Sequence, residues 1–181
     1  REKHGLPNDA FVMMFRQDPS AYKGMDYITD ALEKLTPAEL GGLLPFVWDV
    51  FLEYEGVQYP EEGKRAFWNA IHDPAYLSAL CAYGAFDGGE ALGVIAARGG
   101  GRHVALFFVK GACHGRGIGR RLWNALLEDS AADAVTVHSS RFAVPVYEKL
   151  GFVRLGPECE TDGIRYVPMR YARQAGQADA L

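Results

Sequence analysis

The chain has 181 residues, 49% of them hydrophobic and 23% charged, and its net charge is −4. These values predict one globular domain that buries about 70% of the surface of its unfolded chain. They disfavour nucleic-acid binding, which needs a basic surface, and no apolar run reaches the roughly 18 residues of a membrane-spanning helix. Three cysteines without CxxC spacing (Cys81, Cys113 and Cys159) predict reduced thiols and a cytoplasmic location.

For the first part of the chain, the sequence pattern predicts an extension followed by a strand and two helices. Residues 1–24 are interpreted as an N-terminal extension or a vector-derived segment, 25–172 as the domain and 173–181 as a polar tail. Residues 27–35 are predicted to form a strand. Thr36-Pro37-Ala38-Glu39 predicts a helix start, with Thr as the N-cap and Glu in the capping-box position. Apolar residues continue at helical spacing to Leu52, and a second helix is predicted over 61–72.

The second part of the sequence predicts six further strands and two helices, of which one follows the glycine-dense turn. Glycine-containing turns separate strands predicted over 79–86, 91–97 and 103–109. A strand over 134–138 and a helix over 141–150 come next. Two strands, 152–160 and 164–171, complete the predicted elements.

A glycine-dense turn joins the strand over 103–109 to a helix predicted over 117–129. Gly115, Gly117 and Gly119 place free backbone N–H groups at a positive helix end, an arrangement that binds phosphate. Arg116, Arg120 and Arg121 crowd the same helix end, which favours a bound anion. The turn is not a P-loop, because Gly119 is followed by Arg120 rather than by Lys and then Ser or Thr. It also lacks the last glycine of the dinucleotide-binding fingerprint.

Two motifs resemble those of the GNAT superfamily of acyl-CoA-dependent N-acyltransferases. In the first, Gly115-Arg116-Gly117-Ile118-Gly119 follows Val109; Gly111, Cys113 and His114 replace the usual Pro, Tyr and Gln or Arg. In the second, Ala143, Tyr147, Gly151 and Phe152 match, and His138 replaces a common Asn. The resemblance implies an α/β fold with a mixed, mostly antiparallel, twisted sheet of about seven strands and helices on both faces. The predicted order of elements agrees with it.

The resemblance also implies where acetyl-CoA binds. The sheet is expected to splay between the strands 103–109 and 134–138 and to admit the pantetheine arm. The arm is expected to pair with free backbone groups of Phe107, Phe108 and Val109, as an added strand would. The pyrophosphate is expected at the glycine turn. The expected cofactor-binding residues are Phe107, Phe108, Val109, His114, Gly115, Arg116, Gly117, Ile118, Gly119, Arg120, His138, Ala143 and Tyr147.

The implied reaction is direct acetyl transfer to a primary amine, without a metal. Tyr147 is expected to be the general acid, with a buried core tyrosine as the structural alternative. Glu53 or Glu55 is expected to be the general base. His114 and His138 also have structural alternatives, as a solvated loop residue and a backbone-bonded histidine.

Small-molecule and peptide amines remain open as acceptors, and a monomer or a homodimer is expected. One alternative is a non-catalytic acyl-CoA-binding module. A second is a different enzyme that binds a phosphate ligand, such as a nucleotide; the mismatches to the P-loop and to the dinucleotide-binding fingerprint argue against this second alternative.

Overall fold

The computed structural model describes residues 31–161 and 163–173, so the predicted strand residues 27–30, the N-terminal extension and most of the tail lie outside the described residues. A twisted sheet of eight strands carries helices on both faces, as predicted. The helices are α1 (Pro37–Gly42), α2 (Leu44–Tyr54), α3 (Glu61–Ile71), α4 (Pro74–Ser78), α5 (Ile118–Asp129) and α6 (Val144–Lys149), with 3₁₀ turns at Gly56–Gln58 and Gly111–Cys113. The strands are β1 (Ala31–Leu35), β2 (Cys81–Asp87), β3 (Glu90–Arg98), β4 (His103–Val109), β5 (Ala134–Ser139), β6 (Val153–Arg154), β7 (Cys159–Thr161) and β8 (Ile164–Ala172).

The first predicted helix is present as two helices. Thr36 forms the predicted capping box: its hydroxyl accepts the N–H of Glu39 at 3.3 Å, and the Glu39 carboxylate accepts the N–H of Thr36 at 2.7 Å. The helix breaks at Leu43 because Pro45 has no N–H to donate back into α1. The short helix α4, which is not among the predicted elements, follows the N-cap residue Asp73.

The sheet is antiparallel except for one pair of strands. Its order is β1-β2-β3-β4-β5-β8-β6, with β7 paired to β8. Among the strands of the described residues, only β4 and β5 are parallel. The strand predicted over 152–160 is divided into β6 and β7, with Gly156-Pro157 between them, and this division accounts for eight strands rather than seven.

Two apolar clusters cover the faces of the sheet. One lies under α5 and α6 and contains Leu122, Trp123 and Met169. The other lies under α1 to α4 and contains Val47 and Leu106. The two clusters fix α2 on one face and α5 and α6 on the other, so that all three reach the same end of β4.

Candidate active site

A cavity, called here the main cavity, opens where β4 and β5 diverge. The two strands pair at His103 with Thr136 and at Val104 with Val137, and then separate. The separation leaves a volume of about 230 Å³. This opening is at the position expected for the splay of the sheet. The lining residues are Val50, Tyr54, Glu55, Phe107, Phe108, Val109, Cys113, His114, Gly115, Gly117, Ile118, Gly119, Phe142, Ala143, Val146 and Tyr147.

A β-bulge changes the direction of the β4 backbone just before this opening. Val104 pairs with Ala97 and Leu106 pairs with Ala96, so Ala105 is an extra residue in β4. After such an extra residue, the alternation of the strand is shifted by one position. Each later residue therefore directs its N–H and C=O toward the opposite edge from the one it would otherwise face. The change is also visible in the core, since Val104 belongs to the cluster under α5 and Leu106 to the opposite cluster.

The backbone of β4 beyond the bulge presents polar groups to the main cavity. Lys110 donates its N–H to the carbonyl of Leu92 on β3 at 2.9 Å. Successive strand residues face opposite edges, so Phe108 also faces β3, whereas Phe107 and Val109 face the opening. The expectation that all three offer free backbone groups therefore does not hold for Phe108, whose N–H and C=O point toward β3.

The glycine turn leaves the N-terminus of α5 open. Gly115 and Gly117 have φ values of 76° and 83°, which side-chain-bearing residues rarely adopt. The N–H of Arg121 bonds to the carbonyl of Gly117, so Ile118, Gly119 and Arg120 come before the first helical hydrogen bond and have no intrahelical acceptor. A Cβ atom at Gly115 or Gly117 would meet no atom within 4 Å. This free, positive helix end can accept a phosphate group.

Arg116 and Arg120 lie near this turn but are not among the residues that line the cavity. Arg120 donates from Nη2 to the carbonyl of Lys149 at 2.9 Å, and Lys149 ends α6. Arg116 makes a long contact of 3.7 Å with Cys113 Sγ. Arg120 therefore has a favourable place at the negative end of α6, independent of any anion. The position of Arg120 therefore does not require a bound anion.

An aromatic wall closes one side of the main cavity. The Tyr54 ring lies 5.0 Å from both the His114 ring and the Phe142 ring. His114 Nε2 lies 2.8 Å from the Val109 carbonyl oxygen, so the imidazole holds the turn against β4. A Cβ atom at Gly111 would collide with the Tyr54 hydroxyl. The glycine at position 111 therefore leaves room for the Tyr54 hydroxyl beside the turn.

Tyr147 of α6 lines the main cavity. The residue is only 5% exposed, and its ring packs against Phe107 and Phe152 at 5.8 and 5.1 Å. Among the described residues, the Tyr147 hydroxyl has no hydrogen-bond partner. Burial and then the negative charge of Glu55 raise the pKa of Tyr147. The phenol is thus protonated near neutral pH and free to donate a hydrogen bond to a ligand.

The two candidate bases occupy different environments. Glu55 lines the main cavity, is half-buried, and accepts a hydrogen bond from Ser140 Oγ at 3.0 Å. Burial raises the pKa of Glu55, and the bond from Ser140 opposes part of that rise. Glu53 is exposed and does not line the cavity; beside the Tyr54 hydroxyl, it raises the pKa of that phenol. Only Glu55 is within the cavity that contains Tyr147.

The structure does not bring His138 into the main cavity. The buried neighbours of His138, Val137 and Ser139, face α6, and strand alternation directs His138 to the other face. There its ring stacks on Tyr166 at 4.0 Å and meets the edge of His103 at 5.0 Å. The expected role of His138 in the cofactor channel has no geometric support.

Several lining residues were not among the predicted site residues. They are Val50, Tyr54, Cys113, Phe142 and Val146, of which Phe142 and Val146 are 44% and 46% exposed. Phe142 and Val146 flank Ala143 and Tyr147, so the second motif itself carried a signal for them.

Within 31–161 and 163–173, no group of His, Cys, Asp or Glu is arranged to hold a metal ion. The helices in these ranges are too short or too polar to cross a membrane.

Comparison with known proteins identifies a family. A model described as an acetyltransferase (GNAT) domain matches residues 56–173. This range contains the glycine turn, Tyr147 and every strand from β2 to β8. No curated protein matched the sequence.

Solved structures share the fold at low sequence identity. A GCN5-related N-acetyltransferase from Rhodopseudomonas palustris is 22% identical, with a TM-score of 0.67, and the match covers 80% of this chain and 96% of that one. The PaiA N-acetyltransferase from Thermoplasma acidophilum, solved in complex with coenzyme A, is 15% identical, with a TM-score of 0.62 and coverage of 80% and 99%. A histone acetyltransferase HPA2-related protein from Corynebacterium glutamicum is 22% identical, with a TM-score of 0.54 and coverage of 81% and 98%.

Proposed function

Because the chain belongs to the GNAT acetyltransferase family, we propose that it moves an acetyl group from acetyl-CoA, bound as a substrate in the main cavity, to a primary amine. The observation that carries this proposal is the hydroxyl of Tyr147, which has no hydrogen-bond partner among the described residues, while Tyr147 lines one cavity with an open helix N-terminus. A helix N-terminus that binds phosphate can hold CoA, and a proton donor in the same cavity can protonate the sulfur that leaves from its thioester.

The binding role belongs mainly to backbone groups. The free N–H groups of Ile118 and Gly119 at the start of α5 suit the pyrophosphate of CoA. The backbone groups of Phe107 and the N–H of Val109 face the opening and suit the amides of the pantetheine arm, in the manner of an added strand. His114 supports this arrangement from the side by holding the Val109 carbonyl.

Glu55 is the proposed general base, because an alkylamine is protonated near pH 7 and must lose a proton before it can attack. A carboxyl group whose pKa burial raises is a better base than an exposed one. The neutral nitrogen then forms a bond to the thioester carbon, and the C–S bond breaks. Glu53 is exposed outside the cavity and is not assigned this role.

Tyr147 is the proposed general acid, which protonates the sulfur as the C–S bond breaks. The nitrogen gives up two protons in all: one passes through Glu55 to solvent, and the second restores the Tyr147 hydroxyl. The charge of Glu55 raises the pKa of Tyr147, so uptake of a proton by Glu55 makes Tyr147 a stronger acid. The base and the acid thus act in the order that the reaction needs.

Thiol release in the presence of acetyl-CoA and a panel of primary amines tests the proposal. We expect release that depends on the amine and acetylated amine in equal amount. Binding of acetyl-CoA without release for any amine would contradict the proposal and would favour a non-catalytic acyl-CoA-binding module.

A further inference from the structure

A second, smaller cavity adjoins the main cavity and shares Glu55 with it. Its volume is about 50 Å³, which holds about three to five water-sized groups at roughly 10–15 Å³ each. All of its lining side chains carry a polar or charged group. This polar cavity is lined by Glu55, Tyr59, Ser140, Arg141, Glu158 and Arg165.

Two guanidinium groups give the polar cavity its capacity for an anion. Arg141 Nη2 pairs with Glu158 at 2.9 Å, and Arg165 Nε pairs with Glu160 at 3.0 Å. Each guanidinium has five N–H donors, and each of these ion pairs engages one nitrogen. Both arginines therefore retain donors that can hold a carboxylate, the anion that fits a guanidinium fork.

Glu55 gives the polar cavity a carboxylate that suits a cation. Glu55 also lines the main cavity, where its charge acts on Tyr147. Ser140 Oγ donates to Glu55 at 3.0 Å and is adjacent to Arg141 in the chain. An ammonium group at Glu55 and a carboxylate at the arginines would thus be a short molecule's length apart.

A third cavity borders the polar one, since Arg141 and Glu158 line both. Its volume is about 220 Å³. It is lined mainly by apolar side chains, with Arg154 and the Arg141–Glu158 pair at its border. This apolar cavity is lined by Arg141, Val144, Pro145, Arg154, Gly156, Pro157, Glu158 and Val167.

We propose that the amine acceptor is a 2-aminocarboxylate with an apolar side chain. Its amine meets Glu55, its carboxylate bridges Arg141 and Arg165, and its side chain enters the apolar cavity. This inference rests on the proposed acetyltransferase function, and it names the substrate class for the same site.

Pairs of acceptors that differ only in the carboxylate test the inference. We would measure thiol release with L-amino acids, each compared with its own amide. The carboxylate raises the pKa of the neighbouring amine, so the amide is more often neutral and chemistry alone favours it. We expect the reverse order: kcat/KM about 10-fold or more higher for the acid, with the largest values for apolar side chains.

Arg141→Met and Arg165→Met are the matched variants. Each should lower kcat/KM for the preferred amino acid about 10–100-fold, as expected for a lost charge-assisted hydrogen bond, and leave the amide within about twofold. Arg102→Met is the control, because Arg102 is an exposed arginine at the other end of β4 that bonds to the Gly99 carbonyl. Thermal melts confirm that the variants are folded.

The outcomes separate this inference from the proposed function. If amides and simple alkylamines react as well as the acids, or if both arginine variants keep the acid-to-amide ratio, the carboxylate assignment is wrong and the acetyltransferase stands. If no amine or amino acid causes thiol release although acetyl-CoA binds, the proposed function fails and this inference fails with it.

Discussion

Replacement of Tyr147 by Phe removes one hydroxyl group and keeps the ring. The ring contacts with Phe107 and Phe152 persist, since they involve no oxygen. If the hydroxyl protonates the leaving sulfur, its loss lowers kcat about 10²–10⁴-fold, which corresponds to about 2.7–5.4 kcal/mol of transition-state stabilisation. Affinity for acetyl-CoA should change little, because negative charge on sulfur develops only during the reaction.

The stability of the same variant separates catalysis from packing. A buried hydroxyl without a partner costs free energy, so its removal should leave the free energy of unfolding within about 1 kcal/mol of wild type, or raise it. The assays are steady-state thiol release, acetyl-CoA titration and a thermal melt on one preparation. A wild-type kcat combined with a lower melting temperature would refute the acid role and identify Tyr147 as a packing residue.

Three further predictions concern single side chains. Burial raises the pKa of Glu55, so its ionised form destabilises the fold at pH values above about 4.3, the pKa of Glu in the unfolded chain. Glu55→Gln should therefore raise Tm at pH 8, and this gain should vanish below about pH 4. In the same variant, kcat/KM should lose the rise with pH that depends on the base. Arg120→Ala removes both a hydrogen bond to Lys149 and a cation at a positive helix end, so the ligand-free protein should change by less than about 1 kcal/mol in a denaturant titration. Burial, Arg98 and His138 lower the pKa of His103 to about 4, so the fold should lose stability as pH falls from about 6.5 toward 4, and His103→Gln should reduce that loss in melts across this range.

Local signals made most of the fold predictable. The Thr36 capping box and the glycine turns mark where elements begin and end, and the structure has them at these positions. Pro45 carried a signal for the break between α1 and α2 that apolar spacing alone hides. The Gly156-Pro157 break between β6 and β7 is of the same kind, because a proline removes a donor from the sheet ladder.

The sequence predicted part of the candidate site. The glycine turn and Tyr147 were expected from the resemblance to the two superfamily motifs, and both line one cavity. The face of His138 depends on register within β5, and the facing of Phe108 depends on a bulge, neither of which local spacing reveals. The partner of Arg120 lies on another helix, α6, so no local pattern could show it.

Calorimetric titration of acetyl-CoA into the wild-type protein and into Gly117→Asp measures whether the glycine turn binds the cofactor. Gly117 has a φ of 83° and open space at its Cβ position, so Asp adds strain and a negative charge beside the N-terminus of α5. We predict saturable binding to wild type and at least a roughly 10-fold loss of affinity in the variant, with a thermal melt that shows it folded. Equal affinity for acetyl-CoA in the two folded proteins would contradict the assignment of this turn as the pyrophosphate site.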